Sequence, residues 1–153
     1  MVARFYRAVE QKAENSSVLL KGIFGGVLNA NNLKIITIKK NRDFHYLYGR
    51  GASCVSDDLV TYAIRNGRYK TARIGVTTSK KIGCAVKRNR ARRVIRESYR
   101  KLLPFVCSDY DMVFVARVKT TSADCDKIFD SMRRHLIKLG CIKKIEKFVS
   151  SSN

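Results

Sequence analysis

The chain predicts a single-domain α/β protein, and three observations carry that expectation. Its 153 residues with 45% hydrophobic content suffice for one packed core. Short segments such as Leu59 to Arg65 alternate apolar and polar residues with the period of a strand. Two longer runs, from about Asn89 to Leu103 and from about Ala123 to Leu139, repeat apolar residues three and four apart, the period of amphipathic helices.

Residues 1–32 differ in character from the remainder of the chain. A Glu/Lys/Asn/Ser patch from Glu10 to Ser17 leads into an apolar run, Val18 to Leu28, broken by Lys21 and three glycines. Lys21, the preceding Glu10 and Glu14, and the poor cleavage site at Leu28-Asn29-Ala30 speak against a secretory signal. Gly22, Gly25 and Gly26 lack the Lys-Ser/Thr ending of a phosphate loop. The segment is expected to be a flexible extension, followed by a folded domain over 33–142 and a frayed tail over 143–153.

Within the domain, Asn41 is placed to cap a short helix bearing Phe44, Leu47 and Tyr48, ended by Gly49 and Gly51. Ala52 to Val55 predicts a strand. In Leu59 to Arg65, Val60, Tyr62 and Ile64 share one face. Asn66-Gly67, two residues that tolerate positive φ, predicts an antiparallel hairpin into a strand over Lys70 to Ser79. The helix from Asn89 is closed by Pro104, and Asp111 to Val118 predicts another strand. In the last helix Ser122 is the expected N-cap, with Asp124 and Asp126 in the first turn and Arg133, Arg134 and Lys138 toward the end, before Gly140. Cys125, Phe129, Met132, Leu136 and Leu139 should pack on the sheet.

Charge narrows the function. Against 12 Asp plus Glu stand 32 Lys plus Arg, a net of +20 that calls for a polyanion. No apolar stretch approaches the roughly 18–20 residues of a spanning helix and neither terminus carries a lipidation signal, so a membrane is not the expected partner. Five widely spaced cysteines, no CxxC pair and two histidines, His45 and His135, offer neither a disulfide framework nor a zinc site. Such cysteines ordinarily behave as small core hydrophobes in a reducing compartment, which points to the cytoplasm. Asp124, Asp126 and Asp130 form the one acidic cluster, explained by the positive end of their helix. No metal site and no catalytic residue of the protein's own is expected.

The excess charge concentrates in Lys80 to Lys101, where ten basic residues oppose the single Glu97 for a net of +9. On a helical wheel Ala91, Val94, Ile95, Ser98, Tyr99 and Leu102 gather on one arc, while Arg88, Arg90, Arg92, Arg93, Arg96 and Arg100 fill the other. A charge run is ordinarily a solvated face. Here the signs are not mixed, so like charges would repel without an anion, and the excess is mainly Arg, whose planar fork matches phosphate. Phosphate binding is the better reading.

The string Ser79-Lys80-Lys81-Ile82-Gly83, Ala85-Val86, Arg88-Asn89-Arg90 and Arg92-Arg93-Val94-Ile95-Arg96-Glu97 resembles the signature of the bacterial ribonuclease P protein subunit. Asn41-Arg42-Asp43-Phe44 with Leu47, Tyr48 and Gly49, then Arg73-Ile74-Gly75-Val76, then Asp111 to Arg117, occur in the family's order, so the resemblance runs from about Ile38 to Leu139. Residues 1–32 have no counterpart in that pattern. The resemblance implies a mixed four-stranded sheet with packed helices, ribosomal protein S5 domain 2-like, with a left-handed βαβ crossover through the Arg-rich helix. It implies that Arg88, Asn89 and Arg90 open that helix and lie on the catalytic RNA, with Lys80, Lys81, Lys87, Arg92, Arg93, Arg96 and Arg100 assisting. It also implies a cleft for the 5′ leader of precursor tRNA at Phe44, Tyr48 and Tyr62, where Tyr48 replaces a frequent Phe. From the residues alone Phe44 suits core packing as well as a cleft wall, whereas the Tyr48 and Tyr62 hydroxyls favour a wet edge. The implied activity is endonucleolytic maturation of tRNA 5′ ends, with hydrolysis and Mg²⁺ carried by the RNA subunit and no cofactor held by the protein alone. Two rivals share the charge and size: a structural protein of the ribosome, set apart by the motif string alone, and a DNA-binding regulator, which lacks helix-turn-helix spacing here.

Overall fold

The computed structural model of the chain describes residues 34–69 and 71–142. The expected extension over 1–32 and the tail over 143–153 lie outside the described residues. In chain order the elements are β1 (Ile36–Thr37), α1 (Asn41–Arg50), β2 (Ala52–Val55), β3 (Leu59–Arg65), β4 (Arg73–Thr78), a 3₁₀ turn (Lys80–Ile82), α2 (Ala85–Leu102), a second 3₁₀ turn (Leu103–Phe105), β5 (Tyr110–Ala116), a third (Val118–Thr121) and α3 (Cys125–Lys138). Together they form a mixed α/β fold around one sheet of order β1-β4-β5-β3-β2. It has five strands where four are expected, because β1 is a two-residue strand paired parallel to β4 and is too short to show a period.

The hairpin expected at Asn66-Gly67 does not form. β5 lies between β3 and β4, antiparallel to the first and parallel to the second. Gly67 is absent from the residues with positive φ, so the turn that would fold β4 back on β3 is not made. Asn66 instead accepts the backbone N–H groups of Arg68 and Tyr69 on its Oδ1, at 3.1 and 2.7 Å, and donates from Nδ2 to Asp111 at 2.7 Å. The antiparallel hairpin is β2–β3, turned at Ser56–Asp58. Asp58 is buried there and accepts Ser56 and Ser131 hydroxyls at 2.6 and 2.9 Å. Burial works against its charge, but those donors hold its carboxyl below the usual value.

Helix boundaries also shift. The N-caps are Lys40 for α1 and Asp124 for α3, rather than Asn41 and Ser122, and neither supplies a side-chain bond. Ser122 Oγ donates to the Lys119 carbonyl in the preceding turn, which removes it from capping. The arginine helix begins at Ala85, a turn before the expected Asn89, because the break that starts it is Gly83, with φ 119° and ψ −149°, a region essentially reserved for glycine. The last helix ends as the sequence indicates: Gly140 has φ 71°, and the Cys141 N–H reaches back to the Leu136 carbonyl at 2.8 Å.

Strand alternation divides the sheet into two faces. Leu59, Thr61 and Ala63 of β3 are buried with Met112 and Phe114 of β5 against α2 and α3. Tyr99 of α2 packs on Phe114 with ring centroids 5.7 Å apart, and Ala91, Ile95, Ser98 and Leu102 complete its buried stripe. In α3 the buried stripe is Ile128, Phe129, Ser131, Met132, His135 and Leu136, whereas Cys125 and Leu139 are half-buried. His135 and the Thr61 hydroxyl are hydrogen-bonded at 2.9 Å.

The opposite face carries Val60, Tyr62, Ile64, Val113 and Val115; among the described residues α1 alone covers it, and most of it is half-buried. Leu47, Ile38 and Val113 form its closed part, with Phe44 packed against them. Gly75 makes that packing possible, since a Cβ there would stand 2.4 Å from Phe44 Cε1. The cysteines split: all five are free, Cys54 and Cys141 are buried as expected of small hydrophobes, but Cys84 is exposed.

Gly75→Ala should cost about 1–3 kcal/mol by overpacking, and in a urea-unfolding cycle the double variant with Phe44→Ala should cost less than the sum of the singles, because the clash disappears with the ring. Burial pushes the His135 imidazole below its ordinary value while Asp58 pulls the other way. A folded pKa below the unfolded one means that the unfolded chain binds the proton first. Stability should therefore decline as pH falls below about 6.5, and His135→Asn should flatten that decline.

Candidate nucleic-acid interface

The cationic surface is built by the segment that links β4 to β5. After Thr78 the chain turns once through Lys80–Ile82, with only Ile82 buried, and Gly83 then redirects it into α2. Arg88 folds back to donate to the Gly83 carbonyl at 2.7 Å, which ties the helix to the turn that carries Lys80 and Lys81. The Arg88-Asn89-Arg90 string thus lies within the first turns of α2 rather than at its opening residue. Arg92 donates to Asn89 Oδ1 at 3.4 Å, a long contact.

Few of these charges are matched. Arg100 pairs with Glu97 at 2.8 Å and Lys101 with Asp126 at 3.6 Å, both exposed pairs worth about 0–1 kcal/mol. Among the described residues no carboxylate pairs with Lys80, Lys81, Lys87, Arg90, Arg93 or Arg96. Arg93, Arg96 and Arg100 recur three and four residues apart and line, with Val94, Glu97 and Cys125, a shallow groove between α2 and the start of α3. Successive guanidiniums there rise by roughly 4.5–6 Å along the helix axis. At the helix N-terminus the exposed Cys84 thiol is drawn below its usual value by the Lys87 backbone N–H.

On the other face the structure brings Phe44, Tyr48 and Tyr62 together. Tyr48 and Tyr62 meet edge to face with centroids 5.1 Å apart, and the Tyr48 hydroxyl is hydrogen-bonded to that of Thr77 at 2.8 Å. Phe44 is half-buried between Gly75 and the Ile38–Leu47–Val113 cluster, so it packs as part of the core of this face. Val55 and Tyr48 remain exposed at the open side. Thr77, which anchors Tyr48, lies three residues before Lys80 along the chain.

Sequence reasoning missed three contributors. Gly75 seats Phe44, Thr77 anchors Tyr48, and Arg73 fixes α1 by donating to Asp43 at 3.2 Å while its other nitrogens grip Asp111. Its guanidinium is held more firmly protonated through the Asp111 hydrogen bond. A glycine inside a strand is the one signal that could have marked such a site.

Two of the three acids of the α3 cluster face cations of the protein: Asp126 faces Lys101 and Asp130 lies 3.9 Å from Arg133, while Asp124 is the helix N-cap. Among the described residues no group of three His, Cys, Asp or Glu converges, and no helix is long and apolar enough to cross a membrane.

A largely unpaired arginine helix on one face of a mixed sheet and clustered aromatic rings on the other define a small, basic α/β protein. A family model described as Ribonuclease P matches residues 34–140, and the chain belongs to that family. The ribonuclease P protein component of Thermoanaerobacter sp. (strain X514) is 39% identical over 105 residues, covering 69% of this chain and 90% of that protein. That of Clostridium perfringens (strain SM101 / Type A) is 34% identical over 125 residues, covering 78% and 99%. The solved Staphylococcus aureus RNase P protein superposes with a TM-score of 0.64 at 30% identity, covering 72% of this chain and all of that one. The coarse function comes with the family: a protein component of ribonuclease P, at work in tRNA 5′ processing.

Proposed function

We propose that the two faces divide the work of the complex. The basic face, formed by Lys80, Lys81, Lys87, Arg88, Asn89, Arg90, Arg92, Arg93, Arg96 and Arg100, lies along the backbone of the catalytic RNA. The cleft of Phe44, Tyr48 and Tyr62 holds the single-stranded 5′ leader of precursor tRNA. Hydrolysis belongs to the RNA subunit and the Mg²⁺ it carries, and the protein raises affinity for the precursor in the cytoplasm without a catalytic residue of its own. In this reading the domain over 33–142 performs both tasks.

The observation that carries the reading is that Lys80, Lys81, Lys87, Arg90, Arg93 and Arg96 pair with no carboxylate among the described residues, while the helix buries its other side. Such a row repels itself until phosphates neutralise it. Aromatic faces in a half-open cleft suit bases of a single strand, because stacking tolerates any sequence.

Arg90→Ala combined with Arg93→Ala should weaken assembly with the catalytic RNA about 10- to 100-fold and reduce the salt slope of binding by roughly 1–2, while the unfolding midpoint stays put. An unchanged slope would show that these side chains do not meet phosphate. Tyr62→Ala should weaken binding of precursor tRNA to the reconstituted complex more than binding of mature tRNA, and equal losses would remove the leader from this cleft.

A further inference from the structure

Past the Tyr48–Tyr62 pair, the face under α1 continues to the start of β4, where a further ring stands outside the Phe44–Tyr48–Tyr62 cleft. Tyr69 lies flat over the Arg73 guanidinium, 3.9 Å from ring centroid to central carbon, and is 45% exposed. Its backbone N–H is fixed by Asn66 Oδ1 at 2.7 Å. Beneath it Arg73 is immobilised by Asp111 and Asp43. One ring face therefore rests on an ordered cation and the other meets solvent.

Position along the sheet sets the distance to the cleft. Arg73 is paired in register with Asp111, two residues from the Gly75–Val113 pair on which Phe44 lies, so the backbone position that carries the guanidinium under Tyr69 is about 7 Å further along the same face. Charge sets the chemistry. One guanidinium against the carboxylates of Asp43 and Asp111 leaves the cluster with a net negative charge, which disfavours phosphate but leaves stacking untouched. Arg73 is already matched by those carboxylates, so neutralising it does not account for the exposed ring.

We propose that Tyr69 is an additional base-stacking platform, taking a nucleobase of the same single strand beyond those held at Tyr48 and Tyr62. The proposal rests on the α1 face being the leader cleft. Its ring is ordered before the base arrives, which lowers the entropy cost of stacking.

The test uses the complex reconstituted with its catalytic RNA and precursor tRNAs whose leaders are lengthened one nucleotide at a time. Tyr69→Ala should weaken binding of long-leader precursors about 5- to 100-fold, with the loss setting in at a different leader length from that of Tyr62→Ala. Tyr69→Phe should bind as the parent does. Tyr69→Leu, which still covers Arg73, should lose affinity like Tyr69→Ala while keeping the parent's unfolding midpoint and salt slope. If Tyr62→Ala shows a leader-specific loss and the Tyr69 variants do not, the platform is wrong and the cleft stands. Should neither position show one, the cleft reading fails and takes this proposal with it. A Tyr69→Ala loss shared equally by mature tRNA, or mirrored by Tyr69→Phe, or with the same onset as Tyr62→Ala, overturns the platform.

Discussion

The insertion of β5 between β3 and β4 is the constraint that sets the rest of the architecture. Its Met112, Val113 and Phe114 are all fully buried, so this strand must be covered on both faces. One cover is the pair α2 and α3, and the other is the ten-residue α1. The unequal sizes of those covers matter, because two helices close their face while one short helix leaves Tyr62, Thr77 and Val115 half-open. Gly75 and the Arg73–Asp43 pair decide where α1 sits on that face.

The crossover from β4 to β5 has to run over the closed face, which places α2 with its Ala91–Ile95–Tyr99 stripe inward and its arginines outward. The contrast with Arg73 shows what the protein does with a cation it needs for its own stability. Arg73 is largely buried, meets two carboxylates and lies under a tyrosine. Arg93 and Arg96, by comparison, line an open groove and pair with no carboxylate among the described residues. Exposed pairs such as Arg100–Glu97 contribute about 0–1 kcal/mol and cannot offset the repulsion along the row. Charge left unmatched in this way repels itself until an anion neutralises it.

Reading the sequence recovered what depends on local period. The buried arc of α2, the face shared by Val60, Tyr62 and Ile64, and the glycine that ends α3 all come from spacing within one element. It failed where pairing depends on residues far apart. Asn66-Gly67 has the chemistry of a hairpin turn, yet Asp111 and the N–H groups of Arg68 and Tyr69 claim the Asn66 side chain, and β5 takes the place beside β3. The start of α2 was hidden because Cys84 caps it without a side-chain bond and Gly83 supplies the break. The aromatic residues and the basic row are each legible in the sequence, but their separation onto opposite faces is a property of the sheet order. No window of sequence contains that order.

Photocrosslinking from both faces of the assembled complex tests this division most directly. A photoreactive residue at Val86, exposed in the first turn of α2, should label the catalytic RNA, and one at Val55, exposed beside the cleft, should label the leader of bound precursor tRNA. Labelling of the leader from position 86, or of the catalytic RNA alone from both positions, would contradict the account.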